Sequence, residues 1–168
     1  DERGKKGTEY QTVHEPLTAE LWKEHLDGKI RIGIKPELEG KCVWGCIDVD
    51  PHSYTSFSSK KYIDIIRKYK LPLIAVKSKS GGLHIFIFFT EWADATKVSR
   101  KLSQINEQYF QAQEVFPCNK MLNMPYNDQE ATMEHAYDDN SNALLIGRFL
   151  KLAEQKKIKP QEFYDYKV

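Results

Sequence analysis

The hydrophobic pattern changes period several times along the chain, and the changes divide it into elements. Residues 17–26 read as a short helix that Thr18 can cap and Gly28 can stop. Ile30, Ile32 and Ile34 alternate with polar or small residues and suggest a strand. Residues 43–50 predict a second, stronger strand. Residues 58–70 are helical, with Tyr62, Ile65, Ile66 and Tyr69 on one face. Residues 73–78 and 83–89 are strands, and Ser80-Gly81-Gly82 between them supplies the turn of a hairpin. Val98, Leu102, Ile105 and Tyr109 have helical spacing across residues 94–109. A short strand follows at 114–116, which residues 121–124 extend or repeat. Residues 128–141 are polar and loop-like. Residues 142–155 form a helix with Leu145, Phe149 and Leu152 on its apolar face, and a short turn or helix follows Pro160.

From Val43 onward the order is strand–helix–strand–strand–helix–strand, the ferredoxin-like split βαβ pattern. The right-handed crossover rule makes the first and third of these strands central antiparallel neighbours, with the fourth flanking the first. The expected class is therefore α+β, a βαββαβ sheet with an N-terminal αβ element and a C-terminal helix.

This order brings distant residues to one end of the sheet. Asp48 and Asp50 close the first strand, and their spacing of two puts both carboxylates on one face. His84 begins the antiparallel third strand and shares a face with Phe86 and Phe88. Glu114 begins the fourth strand at the same end. Clustered carboxylates repel each other unless a cation intervenes, and hard divalent ions favour such oxygen ligands. Lys77, Lys79 and Ser80 lie just before the glycine pair, where backbone N–H groups can also face phosphate. Each feature alone has a plainer reading. A lone Asp-x-Asp often faces solvent, a Ser-Gly-Gly is often only a turn, and a single histidine is more often structural. Lys77 and Lys79 could guard a strand edge, and Asp128 or Asp138 could stand in for Glu114.

Composition narrows the setting. The 168 residues are 40% hydrophobic and 29% charged with a net charge of +1, which excludes a uniformly basic nucleic-acid binder but not a local basic groove. Length suits one domain spanning 1–168. The charged stretch 1–7 reads as a disordered lead-in, and its start on Asp1 as the interior of a longer polypeptide. Cys42, Cys46 and Cys118 show no Cys-x-x-Cys pair and fit a reducing, cytoplasmic setting. A zinc site from Cys42, Cys46, His52 and His84 is conceivable, but buried free thiols are the expected state. No apolar run is long enough to span a membrane.

The motifs in order resemble the archaeo-eukaryotic primase (AEP) superfamily, nearest to primase–polymerase domains of phage, plasmid and conflict-system proteins. That superfamily carries an hhhDhD motif, then small residues ending in histidine, then a hydrophobic-acidic motif. Here these are Cys46-Ile47-Asp48-Val49-Asp50, Ser78-Lys79-Ser80-Gly81-Gly82-Leu83-His84 and Gln113-Glu114-Val115-Phe116-Pro117. Similar stretches also occur at His25-Leu26-Asp27-Gly28, Ile32-Gly33-Ile34 and Leu122-Asn123-Met124-Pro125-Tyr126, so the resemblance covers residues 8–127. It implies an AEP-like catalytic core and a DNA primase or polymerase. It also implies that Asp48, Asp50 and Glu114 hold two Mg²⁺ or Mn²⁺ ions, and that His84, Ser80, Lys79 and Lys120 bind a dNTP or NTP. One departure stands out: where the family often has serine two residues before the histidine, this chain has Gly82.

The expected partners are a single-stranded DNA template and primer, with a helicase domain or replication proteins in a bacterial, phage or plasmid context. Lys60, Lys61, Arg67 and Lys68 could track template phosphates or form a solvated helix face. Two other readings remain open. One is a non-catalytic, RRM-like single-strand binding module using Phe86 and Phe88. The other is a metal-dependent nuclease built on the same acids.

Overall fold

The computed structural model describes residues 12–51 and 56–168; the expected lead-in 1–7 and His52 lie outside the described residues. In chain order the elements are α1 (Ala19–Leu26), β1 (Gly33–Ile34), β2 (Lys41–Val49), α2 (Ser59–Lys68), β3 (Ile74–Lys77), β4 (Leu83–Asp94), α3 (Ala95–Ile105), β5 (Glu114–Phe116), β6 (Leu122–Asn123), α4 (Ile146–Lys156) and α5 (Pro160–Tyr164). Capping chemistry sets several boundaries. The Thr18 hydroxyl accepts the Leu21 N–H at 3.1 Å, and Asp94 accepts the Lys97 N–H at 3.0 Å to open α3.

Four strands form one antiparallel sheet in the order β3-β4-β2-β5, the arrangement expected for a split βαβ fold. The mixed α+β core is thus of the class that the order of periodic segments predicts. Strand alternation divides the interior into two apolar layers. Ile47, Val49, Ile85 and Ile87 face α2 and α3, meeting Ile63, Ile66, Val98 and Leu102. Cys46, Phe86 and Phe116 face the other way, into a layer closed by Leu122, Met124, Tyr126 and Phe149. Cys42 belongs to the first layer and Cys46 to the second, because the pairing register shifts between Cys42 and Trp44. Both are buried free thiols on opposite sides of the sheet, so they cannot share a zinc ion.

Several elements differ from the periodic reading. The strand expected around Ile30–Ile34 shortens to β1, which pairs with β6 in a separate two-stranded sheet. The α3 helix passes into a π-helical turn, Asn106–Phe110, that ends at Gln111 with φ +54°. The Asn106 side chain then ties off Ala112 by accepting its N–H and donating to its carbonyl. Leu145 is 80% exposed because it precedes α4, whose buried face is Phe149 and Ala153. Residues 135–137 are not simply loop: the Lys77 N–H donates to His135 O, and the Tyr137 N–H to Ala75 O. The outer edge of β3 is therefore paired, and Lys77 has no open edge there to guard. Among the described residues no helix is long and apolar enough to cross a membrane.

A buried histidine joins α1 to the β1–β6 pair. His25 is wholly buried; its Nδ1 accepts the Ile32 N–H at 3.0 Å, so Nε2 carries the proton and donates to Pro125 O at 2.9 Å. The Asn127 amide donates to both His25 O and Ile30 O, and Arg31 forks onto Glu134 at 2.7 and 2.9 Å. Burial pushes the His25 pKa below its ordinary 6.5, and His135 moves the same way through burial and the nearby Lys77 charge. A depressed histidine pKa stabilises the fold above the unfolded value, and that stability is lost as pH falls. Urea midpoints should therefore drop as pH falls below about 6.5. His25→Ala should cost about 2–3 kcal/mol at neutral pH by leaving the Ile32 N–H and Pro125 O unpartnered, and should flatten that acid slope.

Candidate active site

The ladder around β2 assembles the central residues. Asp48 is the direct Cα partner of His84 in β4 on one side and of Glu114 in β5 on the other. Directly opposed residues of antiparallel strands project to the same face, so all three side chains rise together. Beneath them lies the next row of that face, Phe86, Cys46 and Phe116, all buried. The His84 Nε2 lies 3.4 Å from Asp48 Oδ1, with both side chains mostly shielded at 13% and 21% exposed. The Asp48 charge also helps hold the buried Cys46 thiol well above its ordinary pKa, although burial is the larger cause.

Asp50 is exposed, just beyond the end of β2. Gln113 fixes its backbone: the Asp50 N–H donates to Gln113 Oε1 at 3.1 Å, and Gln113 Nε2 donates to Asp50 O at 2.7 Å. One amide side chain thus adds a donor and an acceptor where the β2–β5 ladder has ended. Residue patterns assign Gln113 no role of its own. Its only signal is an amide immediately before the strand that carries Glu114.

Glu114 is held by Lys120, whose ammonium forms a hydrogen-bonded ion pair with Glu114 Oε2. That contact raises the Lys120 pKa, with a smaller contribution in the same direction from Asp48. The proposed stand-ins for Glu114 are engaged elsewhere. The Asp138 carboxylate takes N–H groups from Asn140 and Asn142, and Asp128 packs against Gly28 beside the His25 link.

Ser80 and Lys79 lie in the β3–β4 turn, where the Ser80 and Ser78 hydroxyls are 3.4 Å apart. Lys77, Ser80, Gly81 and Gly82 line a cavity of about 400 Å³ with Ser59 and Tyr137. A second cavity of about 400 Å³ is lined by Asp50, Lys61, Tyr62 and Gln113. Of the α2 bases, Lys60 and Arg67 pair with Asp64, and Lys61 and Lys68 lie over the Tyr62 and Tyr69 rings. Phe86 is 2% exposed and stacks on Phe88 beneath Tyr126 and Phe149, so it offers no open platform for bases.

Gly82 has a steric reason. A Cβ there would sit 2.2 Å from Val49 O and 3.1 Å from Pro51 Cδ. The turn rests directly on the end of β2, leaving no room for serine at this position. Gly82→Ala should lower stability in a thermal melt by about 2–3 kcal/mol, because the added Cβ would lift the turn off Val49.

Among the described residues, no group of three or more His, Cys, Asp and Glu side chains is drawn together closely enough to hold a metal ion as it stands. The donor set nevertheless fits a hard divalent ion. Asp48 and Glu114 are in-register carboxylates at a sheet end, Asp50 follows two residues after Asp48, and a lysine ammonium already pairs with Glu114. The residues that would take part are Asp48, Asp50 and Glu114.

No curated protein matches this sequence. The sequence model of the family described as the TOTE conflict system archaeo-eukaryotic primase domain matches residues 2–130. That superfamily is one of primase-type nucleotidyltransferases, which act on nucleotides and nucleic acids and typically use divalent metals. The match spans most of the chain and every residue of the Asp48 row, and the chain belongs to the archaeo-eukaryotic primase domain family of the TOTE conflict system.

Proposed function

We propose that this chain is a template-directed DNA primase or polymerase that makes or extends primers on single-stranded DNA. The observation that carries this reading is the register placing Asp48 between His84 and Glu114, with Asp50 anchored beside them by Gln113. Asp48, Asp50 and Glu114 hold two Mg²⁺ or Mn²⁺ ions in this reading. When bound, such ions activate an attacking 3′-hydroxyl and steady the pyrophosphate leaving group.

The protein's own groups do the remaining work. His84 is held against Asp48 at the floor of the site, where its ring can meet the incoming triphosphate. The Ser80 hydroxyl and the Lys79 ammonium bring further donors from the turn, and Lys120 brings a cation on a flexible stem from beyond β5. Lys61 lines the cavity beside Asp50 and is the α2 base placed to meet a template or primer phosphate. Gln113 acts through Asp50 by fixing the backbone that aims its carboxylate.

Primer synthesis and extension on single-stranded DNA with Mg²⁺ or Mn²⁺ test the reading. Asp48→Asn combined with Asp50→Asn should reduce either rate by at least about a hundredfold while leaving the melting curve in place. An unchanged rate would sink the mechanism, and DNA degradation without any triphosphate would favour the nuclease. Gln113→Ala should lower kcat about tenfold to a hundredfold by loosening the Asp50 backbone, with little change in KM for the triphosphate.

A further inference from the structure

The cation beside the acids is already part of the chain. Lys120 lies six residues beyond Glu114, past the end of β5, and its ammonium reaches back to the Glu114 carboxylate. Glu114 is the in-register neighbour of Asp48, so the ammonium lies within the field of both carboxylates. A single positive charge therefore sits where the family's chemistry calls for a larger one.

The pair is built to break. The Lys120 side chain is 63% exposed and that of Glu114 is 37% exposed. Ion pairs this open contribute little, because water screens the attraction and two long side chains must be ordered to make it. A lysine is a compact charge on a flexible stem that imposes no fixed donor geometry, so it can change partners without moving the backbone. A divalent ion brings twice the charge to the same carboxylate and outcompetes the ammonium. The freed lysine is then next to the triphosphate that accompanies the ion, and the exchange leaves no charge stranded.

We infer that Lys120 is a built-in counter-cation that neutralises Glu114 in the absence of metal, releases it when a divalent ion enters, and transfers to the incoming triphosphate. This rests on the reading of Asp48 and Glu114 as metal ligands. It makes one side chain oppose metal binding and favour triphosphate binding, and so couples the two. A lysine with only a structural or a phosphate-binding role would not have effects of opposite sign.

The test is direct Mn²⁺ binding, followed by the electron paramagnetic resonance signal of free Mn²⁺, on the whole chain and on Lys120→Met. Calorimetric titration with dATP at saturating Mn²⁺ measures the second half. Without nucleotide, Lys120→Met should bind Mn²⁺ about threefold to tenfold more tightly, as removal of one charge near a doubly charged ion requires. The same variant should bind dATP at least about fivefold more weakly, the order expected when one charge-assisted hydrogen bond to phosphate is removed. In a Glu114→Gln background the Mn²⁺ gain should disappear. Unchanged or weaker Mn²⁺ binding in Lys120→Met overturns the inference, as does a gain that persists with Glu114→Gln. Glu114→Gln and Asp48→Asn separate the two levels. If neither alters Mn²⁺ affinity, the metal site itself is wrong and the inference falls with it. If both weaken Mn²⁺ binding while Lys120→Met does not tighten it, only the role of Lys120 is overturned.

Discussion

The antiparallel pairing of β2 with β4 on one side and β5 on the other is the constraint on which the rest of the structure depends. Its hydrogen bonds set a register, and the register decides which side chains share a face. Asp48 rises with His84 and Glu114, while Ile47 drops into the layer under α2 and α3 with Ile85. A slip of one residue would carry Asp48 into that apolar layer and lift Ile47 out of it. Burying an unpaired carboxylate is far costlier than any local gain could offset. The hydrophobic layers thus enforce the position of the acids, although the acids contribute nothing to the layers.

That arrangement sets up an electrostatic problem, and the chain addresses it locally. Carboxylates close together destabilise one another unless positive groups are near. Lys120 supplies such a group to Glu114, the His84 ring lies beside Asp48, and both acids sit at the sheet end rather than in its middle. The supports of the site are mostly neutral. Gln113 holds the Asp50 backbone, and Gly82 lets the β3–β4 turn rest on the Val49 carbonyl. The layer beneath, with Phe86 stacked on Phe88, gives the row an apolar floor. Of the aromatics that an RNA-binding sheet would expose, Phe86 is buried under the segment around Tyr126 and α4, while Phe88 is half-buried and lines an apolar cavity of about 350 Å³ with it.

Legibility followed the range of the interactions. The alternation around β2, the glycine turn before β4 and the helical spacing of α2 and α3 are local patterns, and they lead to the strand order found. The β1–β6 pair is harder to see, because two residues carry no period and their pairing spans about half the chain. The closing of the β3 edge by residues 135–137 is invisible for a related reason. That segment is polar and pairs through its backbone, which every sequence has. His25 stands in a stretch resembling the family, but its bonds to Ile32 and Pro125 emerge only when α1 folds over β6. Leu145 has the spacing of an apolar face, yet the helix begins one residue later and leaves it outside.

Within the site the division is equally physical. Residue type and the two-residue period of a strand determined that Asp48 and Asp50 would emerge at the end of β2, and that His84 and Glu114 would begin strands at that same end. They also determined the α+β class, through the order of periodic segments. Tertiary structure decided what those patterns could not carry. It put Asp48 between its two partners, turned Gln113 onto Asp50, brought Lys120 back onto Glu114 and pressed Gly82 against Val49. The reason is that hydrophobic period is written along the chain, whereas a side chain's partner across a gap depends on where two separate segments come to rest.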